Sequence, residues 1–170
     1  MRAMTLWELY ASAIARGFKT TETRSWAPPS ELVGQRIAIH AAKRRVDTRE
    51  IPLEMARQLE VDWPDWMEHV WQEKLPYGCV VATAKLADVR QVTHLGRDGV
   101  VRYVSPPFKH DPEQGVVWED TGTMQADPYG DYSLDRILWV LEDVQALAQP
   151  VPVRGRQGLW TLPDEALILP

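Results

Sequence analysis

The sequence predicts a mixed α+β domain in which a small β-barrel of short strands is flanked by helices. Three observations carry that prediction. Apolar, β-branched runs recur between Gly and Pro turn signals. Two or three stretches have helical composition and helical ends. No internal repeat or linker interrupts the 170 residues, a length suited to one well-buried domain, with or without an insertion.

In chain order, Arg2 to Trp7 alternates loosely and reads as a short opening strand. Glu8 to Arg16 is helix material closed by Gly17 at the C-cap. The competing reading starts that helix earlier, with Thr5 and Glu8 as a capping box. The polar stretch 17–26 follows, and Pro28-Pro29 breaks the chain. Gln35 to Ala41 reads as a buried strand entered from Gly34. Residues 50–60 and 64–74 look helical on either side of Asp62-Trp63-Pro64. Pro76-Tyr77-Gly78 turns the chain into the strongest strand signal, Cys79 to Val92. Residues 93–129, rich in Gly, Pro, Asp and His, read as an irregular insertion or functional loop. Leu134 to Leu147 is strand-like again, with a helix over 142–148 as the alternative. Residues 150–153 and 157–162 read as closing strands around a Gly-containing turn.

Composition narrows the class. Hydrophobic content of 45% with 25% charged residues is that of a folded, soluble chain. No apolar run approaches a membrane span. Glu8 interrupts any signal-peptide core, so a cytoplasmic location and no membrane partner are expected. The single cysteine, Cys79, lies in the apolar run Cys79-Val80-Val81-Ala82 and reads as core. The net charge of −5 argues against a broad face for duplex DNA. The charge is uneven, however: the first fifty residues hold nine Lys/Arg against five Asp/Glu, including Lys43-Arg44-Arg45. A local phosphate site is compatible with that basic segment, and so is a solvated loop. Of eight tryptophans most must be packing, leaving one or two as stacking platforms for a base.

The densest chemistry is Gly17-Phe18-Lys19-Thr20-Thr21-Glu22-Thr23-Arg24-Ser25-Trp26. Three charges and four hydroxyls make a poor core element, because each would need a partner if buried. Along a strand, Lys19, Thr21 and Thr23 would share one face, and Thr20, Glu22 and Arg24 the other. A turn or bulge would gather Lys19, Glu22 and Arg24 into a polar pocket for a flat ligand such as a nucleobase. An ordinary edge-strand ion pair between Glu22 and Arg24 accounts for the same letters. His40, ending a strand beside Lys43, reads as a general base, a base-contacting donor or a structural histidine. The four histidines and one cysteine show no zinc spacing, and no P-loop, dinucleotide fingerprint or nucleophile elbow is present. No metal and no cofactor is expected.

Taken with Ala3-Met4-Thr5-Leu6-Trp7-Glu8-Leu9-Tyr10-Ala11-Ser12, the Gly17-x-Lys19-x-x-Glu22-x-Arg24-Ser25-Trp26 pattern resembles the opening of ASCH domains. These are the activating signal cointegrator homology domains of the PUA-like superfamily. Ile37 to Lys43, Pro76 to Ala82, Tyr129-Gly130-Asp131-Tyr132-Ser133, Trp139, Pro150, Gly155 and Gly158-Leu159-Trp160 extend the resemblance along nearly the whole chain. It implies one PUA-like domain over 1–170: a barrel of five to six strands, helices at its side and a cleft beside the motif. PUA-like domains in general bind RNA, and relatives include readers of modified bases. Some small ASCH members resemble hydrolases of an acylated cytidine, and ribonuclease activity has been attributed to others. Those hydrolases use the motif lysine and a threonine at the position matching Glu22, so this chain departs there. It departs again at Glu8-Leu9-Tyr10, where many relatives read Gln-Pro-Trp, and at Leu134-Asp135-Arg136, where a Gly-Arg pair is usual.

The resulting expectation is a module for single-stranded RNA or another single-stranded nucleic acid, or for a nucleoside. Lys19 and Arg24 would meet phosphate or base acceptors. Glu22 would accept from an exocyclic amine. Tyr10 and Trp26 would stack the base, Ser25 and His40 would add polar contacts, and Lys43 and Arg44 would catch the backbone. The rival is a hydrolase in which Lys19 and Glu22 are catalytic. A third reading is a protein-interaction module using the 93–129 segment.

Overall fold

A computed structural model describes residues 1–105, 110–111, 115–116, 122–163 and 166. In chain order the strands and α-helices are β1 (Arg2–Leu6), α1 (Tyr10–Ala15), β2 (Thr21–Arg24), β3 (Arg36–Ala41), α2 (Leu53–Asp62), α3 (Trp66–Trp71) and β4 (Cys79–Leu95). They continue with β5 (Val100–Val104), β6 (His110–Asp111), β7 (Gly115–Val116), β8 (Gly122–Gln125), β9 (Ile137–Pro152) and β10 (Leu159–Thr161). The chain divides into two compact units, residues 1–20, 36–85 and 143–170 in the first, 21–35 and 86–142 in the second. The long strands β4 and β9 contribute to both.

In the first unit β1 runs parallel to β3, pairing Arg2 with Ile37 through Leu6 with Ala41. It also runs antiparallel to β10, and β3 runs antiparallel to β4 with a register shift between Ile39 and His40. Ala3, Met4, Ile37, Ala38 and Ile39 are fully buried. Such a strand pair reads as a continuous apolar run rather than an alternating one. Ala3, Ala38, Val80, Trp160 and Leu162 form one core cluster.

Helix α1 buries Ala11, Ser12, Ala13 and Ile14. It ends where Gly17, at φ 82°, donates its N–H to the Ile14 carbonyl at 2.9 Å. That left-handed position is the reason a glycine stands there. The helix starts at Tyr10 rather than Glu8, and no side chain caps it. The Thr5–Glu8 capping box does not form, because the Glu8 carboxylate accepts from Ser12 one turn on. Helices α2 and α3 fall on either side of Trp63, as expected. Residues 142–148 are strand, so the alternative helix there is overturned.

In the second unit β2 lies antiparallel to β9, pairing Thr21 with Val140 and Arg24 with Ile137. Strand β5 pairs antiparallel with β4 and with β8. Val92, Val101, Tyr132 and Leu138 form its core, with Met124 and Ala126 packed against them. Within 93–129 the sequence predicts irregular chain, yet β5 and β8 are regular strands; the predicted loop at 106–109, 112–114 and 117–121 lies outside the described residues. The class is α+β with a large sheet and few helices. In neither unit do the pairings among described residues close into a ring, which departs from the closed barrel expected.

Candidate functional site

The first unit holds a cleft beside Tyr10, lined by Trp7, Glu8, Leu9, Tyr10, Arg44, Arg45, Val46, Asp47, Glu50, Ile51 and Met55. Two elements build it: the β1–α1 junction and the turn after β3. Leu9 sits in the junction at φ 76°, ψ −47°, close to the strained γ-turn conformation. A proline, as in the Gln-Pro-Trp of relatives, is fixed near φ −65° and could not take this bend. Backbone strain of this kind persists where the surroundings over-determine it, which singles out the residues on either side.

Those residues are Glu8 and Tyr10. Glu8 is 4% exposed. Its Oε1 accepts from the Ser12 hydroxyl, whereas its Oε2 is buried without a hydrogen-bond partner among the described residues. Desolvation raises its pKa above the usual carboxylate value, and the Ser12 hydroxyl, the Leu9 backbone and the Arg16 charge offset only part of that. Asp47 is the opposite case. Its carboxylate accepts from the Arg49 backbone and guanidinium, which brings its pKa down to about 2. Arg44 donates to both Glu50 oxygens at 2.7 Å and lies 4.3 Å over the Trp7 ring. Trp7 is 56% exposed. The cleft therefore offers two aromatics and apolar side chains, with the buried Glu8 carboxyl in its wall.

Lys19 is completely buried, with its Nζ 5.8 Å from the Tyr10 ring centre. A lysine is almost never fully buried unless it is paired. Its N–H shares the Ala13 carbonyl with Phe18 at the end of α1.

His40 and Lys43 line a different groove of the same unit, together with Thr5, Gly78 and residues 152–157. His40 Nε2 lies 3.0 Å from the Val153 carbonyl and Nδ1 3.3 Å from the Thr5 hydroxyl. The Thr5 oxygen also accepts from Trp160 Nε1 at 2.9 Å. One proton arrangement satisfies the chain: Trp160 donates to Thr5, Thr5 to Nδ1, and Nε2–H to Val153. Desolvation lowers the His40 pKa, offset in part by its Val153 and Gly78 contacts, which keeps the ring neutral. Both ring nitrogens are engaged within the fold.

The remaining motif residues lie in the second unit. Glu22 and Arg24 share a face of β2 and pair at 3.0 Å, Nε to Oε1, with side chains 10% and 22% exposed. This ion pair is largely buried. Thr23, on the opposite face, accepts from the Asp131 N–H. Ser25 is exposed. Trp26 packs edge-on to the fully buried Trp139, centroids 4.9 Å apart, and its carbonyl accepts from Trp139 Nε1 at 3.3 Å.

Tyr10 and Arg44 thus line one cleft, with Lys19 close to Tyr10. His40 and Lys43 line another groove, and Glu22 joins Arg24. Sequence reasoning missed Trp7 and Glu8 as lining residues, and Arg154 and Arg156 in the His40 groove. The signal for Glu8 was present: a lone carboxylate inside the apolar run Leu6-Trp7-Glu8-Leu9-Tyr10.

Element order, sheet class and helix content accord with a PUA-like α+β domain. The chain belongs to the ASCH domain family, whose model matches residues 4–119. Among solved structures, ASCH from Zymomonas mobilis is 20% identical, with 97% of this chain and 89% of that chain covered and a TM-score of 0.46. Two mutants of that protein give 19% identity and TM-scores of 0.47. Each covers 97% of this chain, and they cover 91% and 89% of their own for the tyrosine-to-phenylalanine and serine-to-alanine substitutions respectively. No curated protein matches the chain in sequence. Among the described residues, no helix is long and apolar enough to cross a membrane.

Proposed function

We propose that this ASCH domain is a nucleic-acid-binding module that takes an amine-bearing nucleobase, presented by single-stranded RNA, into the cleft beside Tyr10. The observation that carries this reading is Glu8: a buried carboxylate, one oxygen without a hydrogen-bond partner among the described residues, in the wall of a cleft that Trp7 and Tyr10 also line. A buried acceptor without a partner is destabilising, so its presence calls for a ligand that completes it. An exocyclic amine is the donor that carboxylates accept from in base recognition. Tyr10 and the exposed Trp7 supply flat faces, and base stacking on one such ring is worth roughly 1–3 kcal/mol. The buried Lys19, beside Tyr10, suits the same class of polar, planar ligand.

Calorimetric titration with free nucleosides tests this. Cytidine and adenosine, which carry the amine, bind at least about tenfold more tightly than uridine and inosine, a difference of about 1.4 kcal/mol. Tyr10→Ala and Lys19→Met both lose that binding. Equal affinity for all four nucleosides contradicts the reading, and turnover of an acylated cytidine that Lys19→Met and Glu22→Gln abolish would favour the hydrolase instead.

A further inference from the structure

The groove beneath His40 carries a charge pattern that the base cleft does not explain. Its volume is about 930 Å³, and its lining includes Lys43, Arg154 and Arg156 without a single Asp or Glu. Four other arginines of the same unit have carboxylates: Arg36 has Asp143, Arg44 has Glu50, Arg45 has Glu73 and Arg49 has Asp47. Lys43, Arg154 and Arg156 are exposed and make no ion pair or hydrogen bond among the described residues. In a chain of net charge −5, acids to neutralise them are plentiful. Three exposed cations that line one groove without any are mutually repulsive.

The groove is also built rather than incidental. The Trp160–Thr5–His40 hydrogen-bond chain ends on the Val153 carbonyl, and the Val153 N–H donates to the Gly78 carbonyl at 3.0 Å. Val153 is thereby fixed just before Arg154. Gly155 lies against the His40 ring so closely that an added Cβ would come within 2.2 Å of Cε1. Glycine alone lets the Arg154-Gly155-Arg156 loop in this far, and both arginines line the groove with His40. Residues 42–43 line this groove and 44–46 line the Tyr10 cleft, so one turn serves both.

We infer that the Lys43–Arg154–Arg156 groove binds the phosphodiester backbone of the single strand whose base enters the Tyr10 cleft, an assignment that rests on the base-binding reading above. A point charge on Lys43 and two planar forks on the arginines match successive phosphates, and open lining leaves room for a strand to run through.

Fluorescence anisotropy of a labelled single-stranded RNA octamer across a salt series tests the assignment. The comparison is between the natural chain and a Lys43→Gln, Arg154→Gln, Arg156→Gln variant that keeps Gly155 and His40. Each phosphate contact on a single strand adds about 0.7 to the slope of log affinity against log salt, so three contacts add about 2. Between about 50 mM and about 200 mM salt those contacts account for an affinity loss of about 20-fold, which the variant does not show. The variant retains its nucleoside binding. An unchanged slope in the variant, or no octamer binding by the natural chain at low salt, overturns the groove. If the slope falls by about 2 but free nucleosides never bind, the groove stands and the base-cleft reading fails.

Discussion

Glu8 and His40 are buried residues whose protonation ties the sites to stability, and they act in opposite directions. Glu8 has a raised pKa in the folded chain because it is desolvated. The folded state then holds the proton more tightly than the unfolded one. The stability this contributes is complete below the ordinary value of 4.5 and is lost as pH rises through the folded value. Glu8→Gln, which keeps an acceptor for Ser12, is therefore expected to raise the melting temperature near neutral pH by about 2–4 °C, the shift that about 1 kcal/mol makes in a chain of this size. The same substitution abolishes the preference for cytidine and adenosine. Thermal melts at acid and neutral pH check the first part, and a lower neutral-pH melting temperature for Glu8→Gln contradicts it. His40 has a lowered pKa, so its contribution is present above 6.5 and is lost as pH falls from there through the folded value. Gly155→Ala drives a Cβ into that ring. Such overpacking is expected to cost about 1–3 kcal/mol, read as a shift in the urea midpoint at unchanged slope.

At the scale of elements, β2 and β9 hold the Glu22–Arg24 pair in place through Trp139. That indole is fully buried, pairs in register with Glu22 and contacts Trp26 edge-on. Trp139→Ala is expected to cost about 3–5 kcal/mol, measured by urea unfolding, and a cost below 1 kcal/mol contradicts this packing role. Most elements were legible in the sequence. The runs Arg2–Leu6, Arg36–Ala41 and Cys79–Leu95 are apolar and β-branched, and Gly17 and Pro64 punctuate the helices. The competing, earlier start of α1 takes Glu8 as a capping acid, whereas its carboxylate accepts from Ser12 and the helix begins at Tyr10. The 142–148 stretch continues the strand begun at Ile137, in line with the strand-like reading of 134–147 and against the alternative helix. Arg154 and Arg156 escaped notice because their groove is assembled with His40 and Lys43, more than a hundred residues earlier; no short-range pattern encodes that meeting. Lys19, Glu22 and Arg24 stood out at once, because unusual polarity needs no long-range information to be seen.

On the scale of the whole molecule, the charge distribution unites these features. The chain is acidic overall, yet its first fifty residues carry nine cations. An acidic body would discourage indiscriminate binding to duplex phosphates, while the proposed basic groove would still steer a single strand. Binding should therefore be selective for single strands and strongly salt-dependent. The function proposed for this ASCH domain is binding of single-stranded nucleic acid through a base. The most direct measurement is equilibrium binding of single-stranded RNA, single-stranded DNA and their duplex counterparts by anisotropy at low salt, with Tyr10→Ala and Lys19→Met alongside. Saturable binding of single strands, weaker for duplexes and lost in both variants, is the predicted result. Absence of binding to every single strand and to every nucleoside at low salt would contradict it.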